Sequence, residues 1–523
     1  MLESILLEAK SICNADGGTI YLHETVKATD GDTESPSHEQ LRFAIVMNDT
    51  LDIELGGTTG EEIPYQPLPL SDERTGEPNH ANVATHVALT GKSVNIADAY
   101  DVEGFDFSGT KAFDTKSGYR STSFLTIPMK NRAEKVIGVL QLINARDYNG
   151  WNVVTFDPGR QQLIEALASQ AAVALDNKKL LDEQKNLLDS FIKLIADAID
   201  RKSPYTGGHC TRVPLIAEML ANAACSATDG PFKDFDLNDE EFYELHIAAW
   251  LHDCGKITTP EYVVDKATKL ETIYDRIETV NTRFEVLKRD AEICYLRGLL
   301  DNDGDPKALQ DVYKSKLAQI ERDREFIKHA NIGGEYIDPE KVERIKAIGA
   351  QRWRGTDDKE QEFFSENEIY NFCIGRGTLT AEERKIINDH VVVTIEMLEA
   401  LPFPENLRRV PEYAGGHHEK MDGTGYPRGL MGPDMSIPAR MMAIADIFEA
   451  LTAADRPYKS GKTLSETLRI MNSMSKGNHI DPDLFRLFLD HGLHMKYAKE
   501  HMNKEQIDDV DLSEILDSKS SNR

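Results

Sequence analysis

The chain has 523 residues, too many for one ordinary hydrophobic core, so two or three domains are expected. Its 40% hydrophobic and 28% charged residues exclude a disordered chain, and no run approaches the ~18–20 apolar residues of a membrane span. A formal net charge of −29 excludes general nucleic-acid binding but leaves room for a small anionic substrate, because bound cations reverse the local field.

The N-terminal stretch has early acidic residues and no basic n-region, so no secretory signal is expected. Cys13, Cys210, Cys225, Cys254, Cys294 and Cys373 are scattered without a CxxC pair. That usage suits a reducing compartment, and a cytoplasmic protein is expected.

In chain order, residues 19–22, after the Gly17-Gly18 turn, and 41–46 read as strands. Two more follow at 123–129 and 136–143, around the polar turn 130–135, while 85–97 and 104–121 read as helix and loop. Leu163, Leu167, Ala171 and Ala174 recur at helical spacing. Leu180, Leu181, Leu187, Leu188, Phe191, Ile195 and Ala198 extend the pattern, predicting one long helix over 166–200. Such a helix could form a parallel dimer seam or pack on its own domain.

From Arg201 onward the pattern is helical. Leu270, Ile273, Ile277, Val280, Phe284, Leu287, Ala291 and Cys294 form one stripe with steps of three and four. Leu309, Tyr313, Leu317, Ile320 and Ile327 form a second beyond the turn 301–306, predicting an antiparallel helical hairpin. Gly304 and Pro306 fall at the wrong places for a calcium loop, so the turn reads as merely polar. The segment after Lys499 reads as a weak helix fraying into disorder.

The strongest local signal is WLHDCGK at 250–256. Adjacent His252 and Asp253 can both reach one metal, with the carboxylate free to bridge to a second. Their weight comes from company: His209 upstream, then His390, His417-His418 and Asp446. Lys256, one turn from His252, could neutralise a phosphoryl oxygen as charge develops. Gly423, Gly425 and Pro427 would shape a tight loop beside His418. Cys254 reads as a small core residue. His86, His246 and His329 lack patterned partners and read as structural or exposed.

The first part of the chain resembles a GAF domain through GGTIYL, ATHVALTGKSVNIADAY, SFLTIPM, VIGVLQLIN followed by FD, and ALASQAAVAL. Asn144, Phe156 and Asp157 partly match the signature of cyclic-nucleotide-binding GAF domains, but Ala145 replaces its Lys and no Asp-Glu pair follows. The resemblance therefore implies a fold, with an unknown small ligand or a dimerisation and packing role.

Residues 195–490, apart from the hairpin, resemble the HD-GYP phosphodiesterases through YTGGHCTRV, HDCGK, INDHVVVTIEML, HHEKMDGTGYPRGL, IPARMMAIADIFEALTAADRPYK and KGNHIDPDLF. The resemblance implies one metal on His209, His252, Asp253 and Asp446, and a second on His390, His417 and His418 with Asp253 bridging. Iron or manganese is expected, and the ligands also suit zinc. Arg456 and Lys459 match basic residues that contact substrate phosphate, and Tyr426 could stack on a guanine base or pack within its loop. A third metal in some members uses a Glu where this chain has Tyr205, so two divalent ions are expected.

The expected architecture is multidomain: an α/β GAF-like sensory domain (1–176), a linking helix (177–200), an all-α HD-GYP domain (201–500) with an inserted helical hairpin (271–377), and an acidic and polar tail (501–523). The resemblance implies GAF-regulated, metal-dependent hydrolysis of cyclic di-GMP to pGpG, with onward cleavage to GMP left open. Alternatives are cyclic GMP–AMP or another cyclic dinucleotide as substrate, or a receptor without catalysis. Expected partners are the dinucleotide, a small GAF ligand and a second copy of the chain, with no general nucleic-acid or membrane binding.

Overall fold

The computed structural model describes residues 2–26, 38–72, 75–147, 149–150, 152–202, 208–334, 336–355, 359–454 and 461–517. They fall into two units, Met1–Leu187 and Leu188–Arg523.

In the first unit, helix α1 (Leu2–Cys13) leads into an antiparallel sheet ordered β3-β2-β1-β7-β6-β5. Its strands are β1 (Ala15–Val26), β2 (His38–Asn48), β3 (Ile53–Gly56), β5 (Val94–Ile96), β6 (Phe124–Lys130) and β7 (Val136–Arg146). Short β4 (Leu68–Pro69) pairs with β2, and β8 (Val153–Val154) with β7. Helices α2 (Val83–Thr90) and α3 (Ser108–Ser117) lie in the chain between β4 and β6. In the central pair Ile20 faces Leu140 and Gly18 faces Leu142. Alternation sends Ile20 and Leu140 into a core with Leu6 and Ala9 of α1, and Tyr21 and Val139 into another with Val87 of α2. A Cβ on Gly18 would stand 2.6 Å from Leu6 Cδ1, so the glycine lets α1 lie close on the sheet. The four strands read from β-rich runs are present. Three-residue β5 falls within the stretch read as helix and loop, too short to show a period.

Helix α4 (Pro158–Lys202) runs unbroken for 45 residues, beyond both ends of the predicted helix. In the second unit its Ile192, Ala196 and Ile199 are buried with Leu251, Cys254, Leu398 and Tyr413. The remaining elements include α5 (His209–Cys225), α6 (Asp239–Leu251), a 3₁₀ turn (Cys254–Thr258), α7 (Glu261–Val264), then, after an insertion, α12 (Ala381–Asn388), α13 (His390–Glu399), α14 (Val410–Gly415), α15 (Ile437–Thr452), α16 (Leu464–Lys476), α17 (Pro482–Asp490), α18 (Leu493–His501) and α19 (Leu512–Asp517). A second core joins Leu220 of α5, Met442 and Phe448 of α15, Leu468 of α16 and Phe488 of α17.

The insertion contains the expected pair of helices, α8 (Ile277–Leu300) and α9 (Pro306–Asn331), with Tyr295 and Tyr313 stacked at 5.0 Å across it. Two features differ from the sequence reading. The first helix starts at Ile277 rather than Leu270; Ile273 lies off it, 98% exposed, so the stripe was read two steps too far. The insertion is also more than a hairpin. It continues through α10 (Pro339–Gly349), strands β9 (Arg352–Arg354) and β10 (Glu360–Glu362) and α11 (Glu366–Phe372). Phe284, Ile320, Ile327, Ile345, Phe363, Phe364 and Phe372 give it a core of its own.

The tail also differs. Gln506 donates to the carbonyls of Thr452 and Lys462, Ser465 donates to Asp508, and Ile515 is buried against the α5/α15 core. Through Asp517 it therefore packs rather than frays, because Ile515, the partly buried Met502, Ile507, Val510 and Leu512 and a few polar residues find partners that only the fold supplies.

Candidate metal centre

Five chain segments deliver the seven candidate ligands. His209 opens α5, His252 closes α6, and Asp253 starts the 3₁₀ turn. His390 opens α13, His417 and His418 follow α14, and Asp446 lies in mid-α15. Asn238 and Thr380 form capping boxes with Glu241 and Glu383, fixing α6 and α12, the helix before His390.

The structure brings all seven together, six of them at most 9% exposed. His209 Nε2 lies 3.3 Å from both Asp253 Oδ2 and Asp446 Oδ1, and 3.3 Å from His252 Nε2. On the other side, His390 Nε2 lies 3.2 Å and His417 Nε2 4.0 Å from Asp253 Oδ1. Each carboxylate oxygen of Asp253 thus faces a different group of histidines. The sets His209–His252–Asp446 and His390–His417–His418 each present ligand atoms within 4.8 Å of one another.

Three of the histidines are oriented alike. Nδ1–H of His252 donates to Ala249 O at 2.8 Å, that of His417 to Ala414 O at 2.5 Å, and that of His390 to Ile387 O. A carbonyl three residues back fixes the tautomer and turns the Nε2 lone pair into the site. His390 Nε2, His417 Nε2 and Asp253 Oδ1 are buried with no hydrogen-bond partner. Buried acceptors left bare are rare, and these converge with imidazole and carboxylate chemistry, so the residues fit a divalent cation pair.

The electrostatics follow from burial and charge. Burial pushes His417 well below the usual imidazole range, reinforced by His418 and His252. His418 is pushed down to about 4 by burial, so both rings stay neutral donors. Burial opposes charge on His209 too, but Asp253, Asp446 and Glu449 outweigh it and hold this ring well above its usual value. Burial resists ionisation of Asp253, yet Lys256 and His252 keep its carboxyl far below the carboxylate range. The Lys256 ammonium pairs with Asp253 Oδ2, the oxygen facing His209.

Sequence reasoning missed three supporting residues. Glu449 accepts from His209 Nδ1 and pairs with Arg212 at 2.6 Å. It lies one turn beyond Asp446 on α15, so helical spacing was a usable signal. Glu419 accepts from the amides of Arg428 (2.7 Å) and Leu430 (3.0 Å), holding the loop after His418. Gly255 donates to Thr394 Oγ1 at 2.9 Å, and a Cβ there would run into the His390 carbonyl. No local signal exposes that need, because α13 is remote in sequence.

Gly423 has φ +74, and a Cβ on Gly425 would stand 2.5 Å from Glu419 Cα, so this loop folds hard against its own start. Tyr426 stacks on His418 with centroids 4.8 Å apart. Cys254 is buried, its thiol pushed up to about 11 by burial. Arg456, Lys459 and Tyr205 lie outside the described residues.

The first unit holds a cavity of about 360 Å³ lined by Tyr21, Phe43, Tyr65, Phe107, Phe124 and Gln141, among others. Asn144, Phe156 and Asp157 are not among its lining residues. Asn144 accepts from the Thr122 amide, Phe156 lies in the core, and Asp157 accepts from the Arg160 amide at the start of α4.

Comparison with known proteins agrees with this layout. Residues 1–175 match the family model of the GAF domain, and residues 365–484 that of the HD domain. The second match begins within the insertion, leaving His209, His252 and Asp253 before it. The chain therefore joins a stretch similar to GAF domains to one similar to HD domains. It is 47% identical over 76 residues to a 3'3'-cGAMP-specific phosphodiesterase of Vibrio cholerae, covering 14% of this chain and 17% of that protein. It is 38% identical over 113 residues to a cyclic di-GMP phosphodiesterase of Thermotoga maritima (22% and 30%), and 47% over 73 residues to one of Pseudomonas aeruginosa (14% and 17%). The matched segments thus span 17 to 30% of these curated relatives.

Proposed function

We propose that the second unit hydrolyses a cyclic dinucleotide, cyclic di-GMP to pGpG, at a two-cation site. His209, His252, Asp253 and Asp446 would hold one ion and His390, His417 and His418 the other, with Asp253 shared. The supporting observation is the split of the Asp253 oxygens between two histidine groups whose buried Nε2 atoms on one side lack partners. Iron or manganese is the proposed metal, and the same ligands accept zinc. When bound, such ions supply polarisation of the phosphodiester and a water of lowered pKa.

The chain's own residues then do the rest. Asp253 keeps the two halves of the site in register. The i−3 carbonyls hold three imidazoles with Nε2 turned into the site. Lys256 places a positive charge where the phosphoryl oxygens gain negative charge. Arg456 and Lys459 are proposed phosphate contacts, and Tyr426 a proposed face for a base. Cyclic GMP–AMP is a second substrate reading, supported by the Vibrio relative's name.

The test is turnover of both dinucleotides by Fe(II)- or Mn(II)-loaded protein. Binding without hydrolysis of either would mean a receptor. Asp253→Ala is expected to lose both metal and activity; survival of both would refute the ligand set.

The first unit is proposed to regulate this activity through a small ligand in its cavity, in a cytoplasmic homodimer. Along α4, Leu180, Leu181, Leu187, Phe191 and Leu194 are 54 to 65% exposed at heptad-compatible steps, while Ile192, Ala196 and Ile199 are buried. A second copy of the same helix matches that exposed stripe.

A further inference from the structure

The last turn of α4 grips both halves of the loop system that carries His209 and Asp253. The Lys202 ammonium donates to the carbonyls of Lys256 (3.3 Å), Ile257 and Thr259 (2.8 Å). These carbonyls lie at the end of the 3₁₀ turn Cys254–Thr258, where that of Lys256 also accepts from the Thr259 amide at 3.1 Å. An ammonium has three donors and no acceptor, and a cation suits the negative end of a helical turn. Two residues earlier, Asp200 accepts from the Gly208 amide at 3.0 Å, immediately before His209.

The turn held by Lys202 begins at Asp253, carries Lys256, and rests through Gly255 on the start of α13 at His390. The base of Lys202 is in turn fixed, since Ile192, Ala196 and Ile199 seat α4 in the core beside Leu251 and Cys254. We infer that Lys202 is a positioning residue: through three backbone carbonyls, the end of α4 sets where Asp253 and Lys256 stand in the site. A shift of α4 along its axis moves this grip and the Asp200 contact together. The inference rests on the two-cation reading given above.

The test compares Lys202→Met, which keeps the stem and removes the donors, with Lys202→Arg, which keeps charge and donors, in the full chain. At saturating Mn(II), Lys202→Met is expected to lower kcat about tenfold with KM changed less than about threefold, and to weaken Mn(II) affinity at least about threefold. Lys202→Arg is expected to recover at least about half of kcat. Unchanged kcat and Mn(II) affinity in Lys202→Met would overturn the inference. So would a loss of kcat that merely follows a lower folded fraction and that Lys202→Arg fails to rescue. If the wild-type protein hydrolyses no cyclic dinucleotide, the functional reading fails, and Mn(II) affinity alone decides: weakened in Lys202→Met and restored in Lys202→Arg supports the role, unchanged refutes it.

Discussion

Gly255→Ala isolates one half of the candidate site. A Cβ at 255 would stand 2.6 Å from Thr394 N and 2.8 Å from Thr394 Oγ1, and closer still to the His390 carbonyl. Ordinary contacts begin near 3.4 Å, so the start of α13 must retreat by about 1 Å or more. His390 Nε2 lies 3.2 Å from Asp253 Oδ1, and metal ligation tolerates only about 0.2 Å of error. Overpacking should cost about 1–3 kcal/mol of stability, a small enough loss to leave a folded protein. The His209–His252–Asp446 group does not depend on α13 and should survive. Metal analysis of the folded variant is expected to fall from two ions per chain toward one, with turnover down about 100-fold. Two retained ions with full turnover would refute the packing argument.

Glu449→Gln removes the carboxylate that orients His209, and Mn(II) affinity is expected to fall about 10- to 100-fold while the fold persists; isothermal titration checks it. In the metal-free chain, His418 is held down to about 4, mainly by burial. Its folded form binds its proton less readily than the unfolded form, so its contribution to stability is present above about pH 6.5 and is lost toward pH 4, up to about 3 kcal/mol. An imidazole NMR titration with a midpoint near 6.5 would contradict this. Leu187→Asp with Leu194→Asp places charge in the exposed stripe of α4 and is expected to convert a dimer to a monomer by light scattering; an unchanged dimer would place the interface elsewhere.

Much of the architecture was legible in the sequence because periodicity is a local property. β-rich runs beside turn residues marked β1, β2, β6 and β7, and steps of three and four marked α4, α8 and α9, since each is a pattern of neighbouring residues. Local order missed what needs a distant partner. Ile273 fitted a stripe by its spacing yet is itself left exposed, and Ile515 looked like part of a polar tail until the α5/α15 core supplied its burial. The insertion's separate core, built from residues between Leu270 and Phe372, could not be seen from two helical stripes alone.

At the candidate site the division is similar. Residue types in order, from His209 through His252-Asp253 to Asp446, together with the HD-GYP resemblance led to the expectation of a metal-binding set, because imidazole and carboxylate chemistry belongs to the side chains. Their arrangement was decided by tertiary packing. The two oxygens of Asp253 point to different histidine groups because α5, α13 and α15 converge on one 3₁₀ turn. Gly255 is required because α13 lies against it, and Lys202 reaches that turn because one face of α4 is buried beside it. Chemical identity is written along the chain, whereas distances between groups hundreds of residues apart exist only once the cores have formed.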